Sequence, residues 1–200
     1  MATSFGLYLH MPFPLTSVVA GGIWVGYSLM YTPMKQYTSF NTFFGAIVGS
    51  LPPFIGCYAA IGSLMGLETF LLSAYIFSWQ WPHFYGILYE NKDDYKKAGF
   101  KMLSNEDPEG KRAINHIKFS TLLGSTVPFA MAYQGMINPI VLPIYYFYYQ
   151  KAYQCVKEFE KTPNEQSAKR MKNLSYTPFF VLLLGIYLTI LWKKANTCVK

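Results

Sequence analysis

The residues best equipped for chemistry lie in one stretch. It reads Trp79-Gln80-Trp81-Pro82-His83-Phe84, then Tyr89-Glu90-Asn91-Lys92-Asp93-Asp94-Tyr95-Lys96-Lys97-Ala98-Gly99-Phe100-Lys101. Taken as helix from His83, with Gly99 as the stop, the segment spaces His83, Glu90, Asp94, Lys97 and Lys101 at intervals of seven, four, three and four. That spacing keeps them on one stripe. Asp93 lies beside the stripe and Gln80 one turn before His83. Carboxylates come first along it and ammonium groups after. Carboxylates bind hard cations such as Mg²⁺, which keeps several waters and shares its site with substrate phosphates. Lysines just beyond would meet those phosphates as point charges, and an allylic diphosphate suits such a stripe. A plainer reading stands beside this one: a solvated helix face with i,i+4 ion pairs. His83 likewise has two readings, an ionisable group at a functional position near a span or an interfacial ring beside Pro82.

The surrounding elements identify the medium. The chain has 200 residues, 52% hydrophobic and 18% aromatic, with 14% charged, against about 25% charged in an ordinary soluble domain. Disorder, coiled coil and a nucleic-acid arm are excluded by that balance. No charged side chain occurs from Met1 to Met34 or from Gln36 to Leu67, and between Thr69 and Tyr89 only His83 and tyrosines titrate. Apolar stretches of roughly 20 residues match a bilayer core of about 30 Å. Six spans are predicted, at 13–31, 42–62, 68–88, 115–134, 137–156 and 175–192, with residues 1–12 as the tail of a further apolar segment ending near His10. The fold class is therefore all-α, a polytopic membrane helix bundle.

The loops orient it. Lys35 follows the first span. Lys92, Lys96, Lys97, Lys101, Lys111 and Arg112 follow the third, and Lys157, Lys161, Lys169, Arg170 and Lys172 follow the fifth. The intervening turns, 62–67 and 134–137, carry no charge. This positive-inside pattern turns the basic loops toward a bacterial cytosol or a mitochondrial matrix, and the net charge of +7 reads as topology rather than affinity for nucleic acid.

Packing signals are more general. Gly22/Gly26 and Gly45/Gly49 permit close helix approach where lipid gives no hydrophobic push. Pro52-Pro53, Pro82, Pro128 and Pro143 are expected to bend spans and to favour a cavity within the bundle. The run Tyr145-Tyr146-Phe147-Tyr148-Tyr149 reads as a wide helix face with an interfacial belt. Cys57, Cys155 and Cys198 have no metal-ligand spacing and read as incidental thiols. No cleavable signal or transit peptide and no internal repeat is recognisable.

Two blocks carry a resemblance. Trp79-Gln80-x-Pro82-His83-Phe84 with Asp93-Asp94-Tyr95-Lys96-Lys97-Ala98-Gly99-x-x-Met102-Leu103 is one. Tyr31-Thr32-Pro33-Met34-Lys35, Asn41-Thr42, Gly45 and Leu51-Pro52-Pro53 form the other. Together they resemble the protoheme IX farnesyltransferases (heme O synthases) of the UbiA prenyltransferase superfamily, from about residue 7 to residue 192. The resemblance implies the C-terminal part of a nine-helix bundle, here one domain over residues 1–200. It implies farnesyl transfer from farnesyl diphosphate to a heme B vinyl group, with Mg²⁺ gripping the diphosphate. On it, Asp94 and Asp93 match the second acidic motif, with Glu90 where related enzymes begin it. Lys97, Lys101 and Lys35 become diphosphate contacts, and His83, Gln80 and Asn41 fall at polar positions of the heme or prenyl pocket.

One departure shapes the expectations. No carboxylate precedes Glu68, so the family's first acidic motif and the helices that flank it are expected to be missing, and the chain is not expected to be active alone. Competing with the enzyme is a shortened relative that serves as a structural subunit of a respiratory complex; a transporter or channel ranks third. A partner chain, lipid or a second copy would cover the face left open. The acidic insert Ser104 to Gly110 tilts the expected location to the mitochondrial inner membrane, with the bacterial plasma membrane as the alternative.

Overall fold

The computed structural model describes residues 14–61 and 66–197, and among them every regular element is a helix. The predicted segment 1–12, with His10, lies outside the described residues. We number the helices α1 Pro14–Val25, α2 Thr32–Tyr37, α3 Asn41–Gly49, α4 Pro52–Ile61, α5 Leu67–Glu90, α6 Lys92–Lys97, α7 Leu103–Glu106, α8 Lys111–Tyr133, α9 Val141–Lys161 and α10 Glu165–Thr197. The chain divides into two compact units. The first runs to Phe77 and takes in Lys92–Glu106; the second is Ser78–Asn91 with Asp107 onward.

The predicted spans map onto these helices with two differences. Span 13–31 continues through a π-helical turn, Gly26–Tyr31, into α2. Pro33 has no N–H for the Leu29 carbonyl, and at this point the ladder widens: the Thr32 N–H and, at 2.9 Å, its hydroxyl both donate to the Tyr27 carbonyl. Span 42–62 is divided into α3 and α4 around Ser50 and Leu51, ahead of Pro52-Pro53. Pro143 falls in the first turn of α9, where a missing N–H costs nothing. By length and composition, Asn41–Ala59 and Glu165–Asn196 are the described stretches apolar enough to cross a membrane. At 1.5 Å per residue, the 24 residues of α5 and 23 of α8 reach about 35 Å, also enough for a bilayer core.

The continuous stripe expected from His83 to Lys101 does not form. Helix α5 ends at Glu90, Asn91 turns, and α6 begins anew at Lys92; the Asn91 side chain donates to the Ile87 carbonyl at 2.9 Å, closing the end of α5. Gly99 does stop the next helix. It takes φ 75°, and the Phe100 N–H reaches back to the Tyr95 carbonyl at 3.0 Å, a Schellman end that glycine alone adopts without strain. Gly135 repeats the device after α8, with φ 69° and Met136 N–H to the Met131 carbonyl at 2.8 Å.

In the second unit the buried prolines set the packing. Pro128 cannot bond the Gly124 carbonyl one turn earlier in α8. The Tyr145 hydroxyl of α9 donates to that carbonyl at 2.7 Å. Tyr146 donates to the Ser125 carbonyl and Tyr149 to that of Thr121. The expected aromatic belt is thus, on one side, a row of hydroxyl donors laid along a broken backbone ladder. In α10 Pro178 frees the Leu174 carbonyl, and the next carbonyl, that of Ser175, receives the Trp79 indole N–H at 2.9 Å. Glycines set the approach distances. A Cβ on Gly86 of α5 would stand 2.9 Å from the Ala168 carbonyl and the Lys172 amide nitrogen of α10. Of the paired glycines, Gly45 admits the Tyr31 ring and Gly26 faces Val48, whereas a Cβ on Gly22 would meet open space.

Outer faces are apolar. Phe119, Leu122 and Phe129 of α8 and Phe180, Leu184 and Leu188 of α10 are all exposed, as lipid contact requires.

Tyr145→Phe should strand the Gly124 carbonyl and lower stability in detergent by about 1 kcal/mol. Tyr148→Phe, whose ring lies beside Phe147 and Lys151, should leave the thermal midpoint unchanged. Gly86→Ala should cost more than either, about 1–3 kcal/mol, because its methyl meets backbone that cannot rotate away.

Candidate functional site

In the first unit, the turn between α2 and α3 is bonded to the loop that follows α6. Asn41 is fully buried. Its side-chain amide donates to the Thr38 carbonyl at 2.7 Å and to the Lys101 carbonyl at 3.2 Å. The Lys101 N–H in turn donates to the Lys35 carbonyl at 2.7 Å. The Ser39 hydroxyl adds a bond to the Glu106 carboxylate at 2.7 Å. Residues 60 positions apart in sequence are therefore pinned together, and the Lys35 and Lys101 backbones adjoin.

The Lys35 ammonium lies 4.6 Å over the Tyr31 ring, a cation–π contact. Partial burial there lowers its pKa below the ordinary lysine value. The Tyr27 and Tyr31 rings pack 5.0 Å apart. Burial, and then the proximity of Tyr27, raise the pKa of the Tyr95 phenol on α6. The α2 lysine thus stands on the Tyr31 ring, itself packed on Tyr27.

Asp93 and Asp94 occupy the first turn of α6, where the helix dipole favours negative charge. Both are exposed. Lys97 lies 3.9 Å from Asp94, each side chain 80% exposed, so this pair adds little stability and is free to exchange partners. No group of three His, Cys, Asp or Glu side chains that could hold a metal gathers among the described residues. Two adjacent, solvent-accessible carboxylates fit Mg²⁺ of the shared kind, in which phosphate and water complete the shell; they do not form an all-protein cage.

The other expected site residues belong to the second unit. Gln80 and His83 are buried on α5. The His83 ring stacks on Trp79 with centroids 4.8 Å apart, with Nδ1 3.3 Å from the Ser175 hydroxyl and Nε2 3.3 Å from the Tyr176 hydroxyl. Glu90, 14% exposed, is paired with Lys172 and lies 4.0 Å from Lys169. Its charge is met by two ammonium groups of α10, so α5 is tied to α10 by charge beside the close approach at Gly86.

Sequence reasoning missed the α10 side of this cluster, Lys172, Ser175 and Tyr176, and also Asp107. The buried Asp107 carboxylate accepts the N–H groups of Lys111, Arg112 and Ala113 at 3.0, 2.7 and 3.1 Å, and the Tyr89 hydroxyl donates to its carbonyl at 2.5 Å. The insert read as merely acidic supplies the cap of α8. Asp107-Pro108-Glu109-Gly110 just ahead of a helical pattern was the available signal.

Residues 1–184 match the model of the UbiA prenyltransferase family. The chain is similar to the protoheme IX farnesyltransferase of Rhodopirellula baltica, 40% identical over 114 residues, which cover 57% of this chain and 37% of that protein. It is also similar to the mitochondrial protoheme IX farnesyltransferases of Arabidopsis thaliana and Homo sapiens. Identity is 41% over 48% of this chain and 38% over 51%, each match covering 23% of the relative. The matched stretches thus span well under half the length of these relatives. No solved structure matches the chain.

Asn41→Asp should replace the donor between two carbonyls with a buried carboxylate. We expect the Lys101 amide to lose its protection in hydrogen exchange and stability to fall by about 1–3 kcal/mol, whereas Thr42→Ala, which loses only a neighbouring hydroxyl bond, should retain that protection.

Proposed function

Because the chain belongs to the UbiA prenyltransferase family, an integral-membrane helical family, we propose that it takes part in prenyl transfer, moving farnesyl from farnesyl diphosphate to a vinyl group of heme B. The observation that carries this reading is the bonded pair of segments in the first unit. Asn41 and the Lys35–Lys101 backbone bond join the two motif blocks, which hold the lysines and both adjacent aspartates. Two sets of residues distant in sequence are held as one polar surface, and their charges suit a diphosphate.

In this mechanism the bond between farnesyl C1 and the diphosphate oxygen breaks, and its electron pair leaves with the diphosphate. The vinyl π pair closes on C1 as the new carbon–carbon bond. Water then supplies the hydroxyl of the hydroxyethyl group and gives up a proton. Lys35, Lys97 and Lys101 bind the departing anion as point charges. Asp93 and Asp94 would hold Mg²⁺, which supplies further neutralisation of the diphosphate when bound. Asn41 acts through the backbone, keeping the Lys35 and Lys101 segments in register. Glu90 enters as the tie between α5 and α10, and Gln80 and His83 as polar positions of the heme or prenyl pocket, a role carried by the resemblance. We place the chain in the mitochondrial inner membrane, with the bacterial plasma membrane as the alternative; the positive-inside charge pattern supports the basic loops facing the matrix or the cytosol and does not choose between the two.

The test is heme O formation in native membranes supplied with heme B and farnesyl diphosphate. Asp94→Asn should lower it about a hundredfold or more while the chain stays in the membrane at its normal level. Unchanged product would overturn the role of Asp94. Retention of the chain at fixed stoichiometry in a respiratory complex, with heme O unaffected, would favour the structural-subunit reading instead.

A further inference from the structure

Helices α8 and α9 meet along a seam whose register is set by hydroxyl bonds, from Tyr145 to the Gly124 carbonyl and from Tyr149 to that of Thr121, each at 2.7 Å. One turn nearer the basic loops, this antiparallel register brings Lys118 of α8 level with Tyr153 of α9. The Lys118 ammonium bonds the Glu160 carboxylate at 2.5 Å. The Lys157 ammonium lies 5.1 Å over the Tyr153 ring, and Lys118 stands within electrostatic reach of the same phenol. These four side chains form one cluster at the rim of the seam. Lys118 and Glu160 are 49% and 41% exposed, and Lys157 is exposed as well. Among the described residues no carboxylate pairs with Lys157, so two ammonium groups here meet one carboxylate.

Away from the loops the seam turns apolar. Leu122 and Phe129 follow Lys118 on one face of α8, 61% and 57% exposed. The Thr126 hydroxyl between them is spent on the Leu122 carbonyl at 2.8 Å, and Phe129 stacks on Tyr146 of α9 with centroids 5.0 Å apart. From Lys118 to Phe129 the helix descends about 16 Å, close to the hydrocarbon depth of one leaflet.

A lysine beside hydrocarbon reaches for the interface. Lys118 finds Glu160 there, whereas Lys157 rests on a ring, a weak contact at an exposed site. A phosphate oxygen offers that ammonium a stronger, charge-assisted bond, and basic sites between helices on the matrix or cytoplasmic side recognise anionic head groups. The surplus of one positive charge matches a phosphodiester. A diphosphate would set further negative charge against Glu160. We propose that this seam holds an anionic phospholipid of the leaflet on the basic-loop side, its phosphate between Lys118 and Lys157 and an acyl chain along Leu122 and Phe129. The lipid then belongs to the second unit as a bound component, and the proposal stands apart from the prenyl-transfer reading.

The experiment offers the full chain, in mild detergent, phosphatidylglycerol or phosphatidylcholine with the same acyl chains. Native mass spectrometry reads the retained lipid, and the thermal midpoint is followed in parallel. Phosphatidylglycerol should be retained about fivefold or more over phosphatidylcholine and should raise the midpoint. Lys157→Gln leaves the Lys118–Glu160 pair in place and should weaken the phosphatidylglycerol adduct about fivefold. Lys96→Gln, which removes the same charge from α6, should not. Glu160→Gln should tighten the adduct, a gain that a pair serving only to join α8 to α9 would not produce and that needs no loss of binding to read. Equal retention of the two lipids, or of phosphatidylglycerol by the wild-type chain and Lys157→Gln, overturns the proposal. So does displacement of the lipid by inorganic phosphate or diphosphate, which would assign the cluster to a soluble anion.

Discussion

A backbone carbonyl facing lipid has no water to bond, and a proline inside a helix frees such a carbonyl one turn earlier. The second unit is organised around that constraint. Pro128 frees the Gly124 carbonyl, and α9 answers with the Tyr145 hydroxyl, flanked by Tyr146 and Tyr149 on the neighbouring carbonyls. In α10 the indole of Trp79 donates to the Ser175 carbonyl, next to the Leu174 carbonyl that Pro178 frees. The same two residues frame His83, so this bond to the α10 backbone also sets the indole on which the imidazole stacks. Support of the backbone and placement of the polar cluster are one interaction.

Close packing completes that arrangement. Because Gly86 lacks a Cβ, α10 approaches α5 until its backbone would touch one, and at that distance Lys172 reaches Glu90. A partly buried carboxylate left alone would be costly, and two ammonium groups beside it make the site tolerable. Charge and proximity act on the same pair of helices, and His83 of α5 meets Ser175 of α10 along the same contact.

Much of the helical architecture was legible because it depends on local signals. Charge-free runs give the spans, Gly99 ends α6 in the conformation its type favours, and Pro52-Pro53 divides one predicted span in two. The stripe from His83 to Lys101 failed for an equally local reason, the break at Asn91, whose own side chain closes α5. What the sequence could not supply was pairing. The bonds from His83 to Ser175 and from Glu90 to Lys172 join residues 92 and 82 positions apart, and no periodicity encodes which face of α10 meets α5. Asn41 was legible as a polar residue of interest, but its grip on the Lys101 carbonyl was not. The Asp107 cap was visible in principle, since an acid followed by Pro-x-Gly commonly opens a helix, yet it was read as bulk charge.

The bond from the Lys101 N–H to the Lys35 carbonyl involves main-chain atoms only. The scaffold is therefore indifferent to which side chains those two positions carry. Arginine, glutamine or serine could replace either lysine and the junction would still close. Side-chain chemistry and main-chain closure are therefore separable at this junction: substitutions at its rim change the charge it presents without removing the bond that closes it.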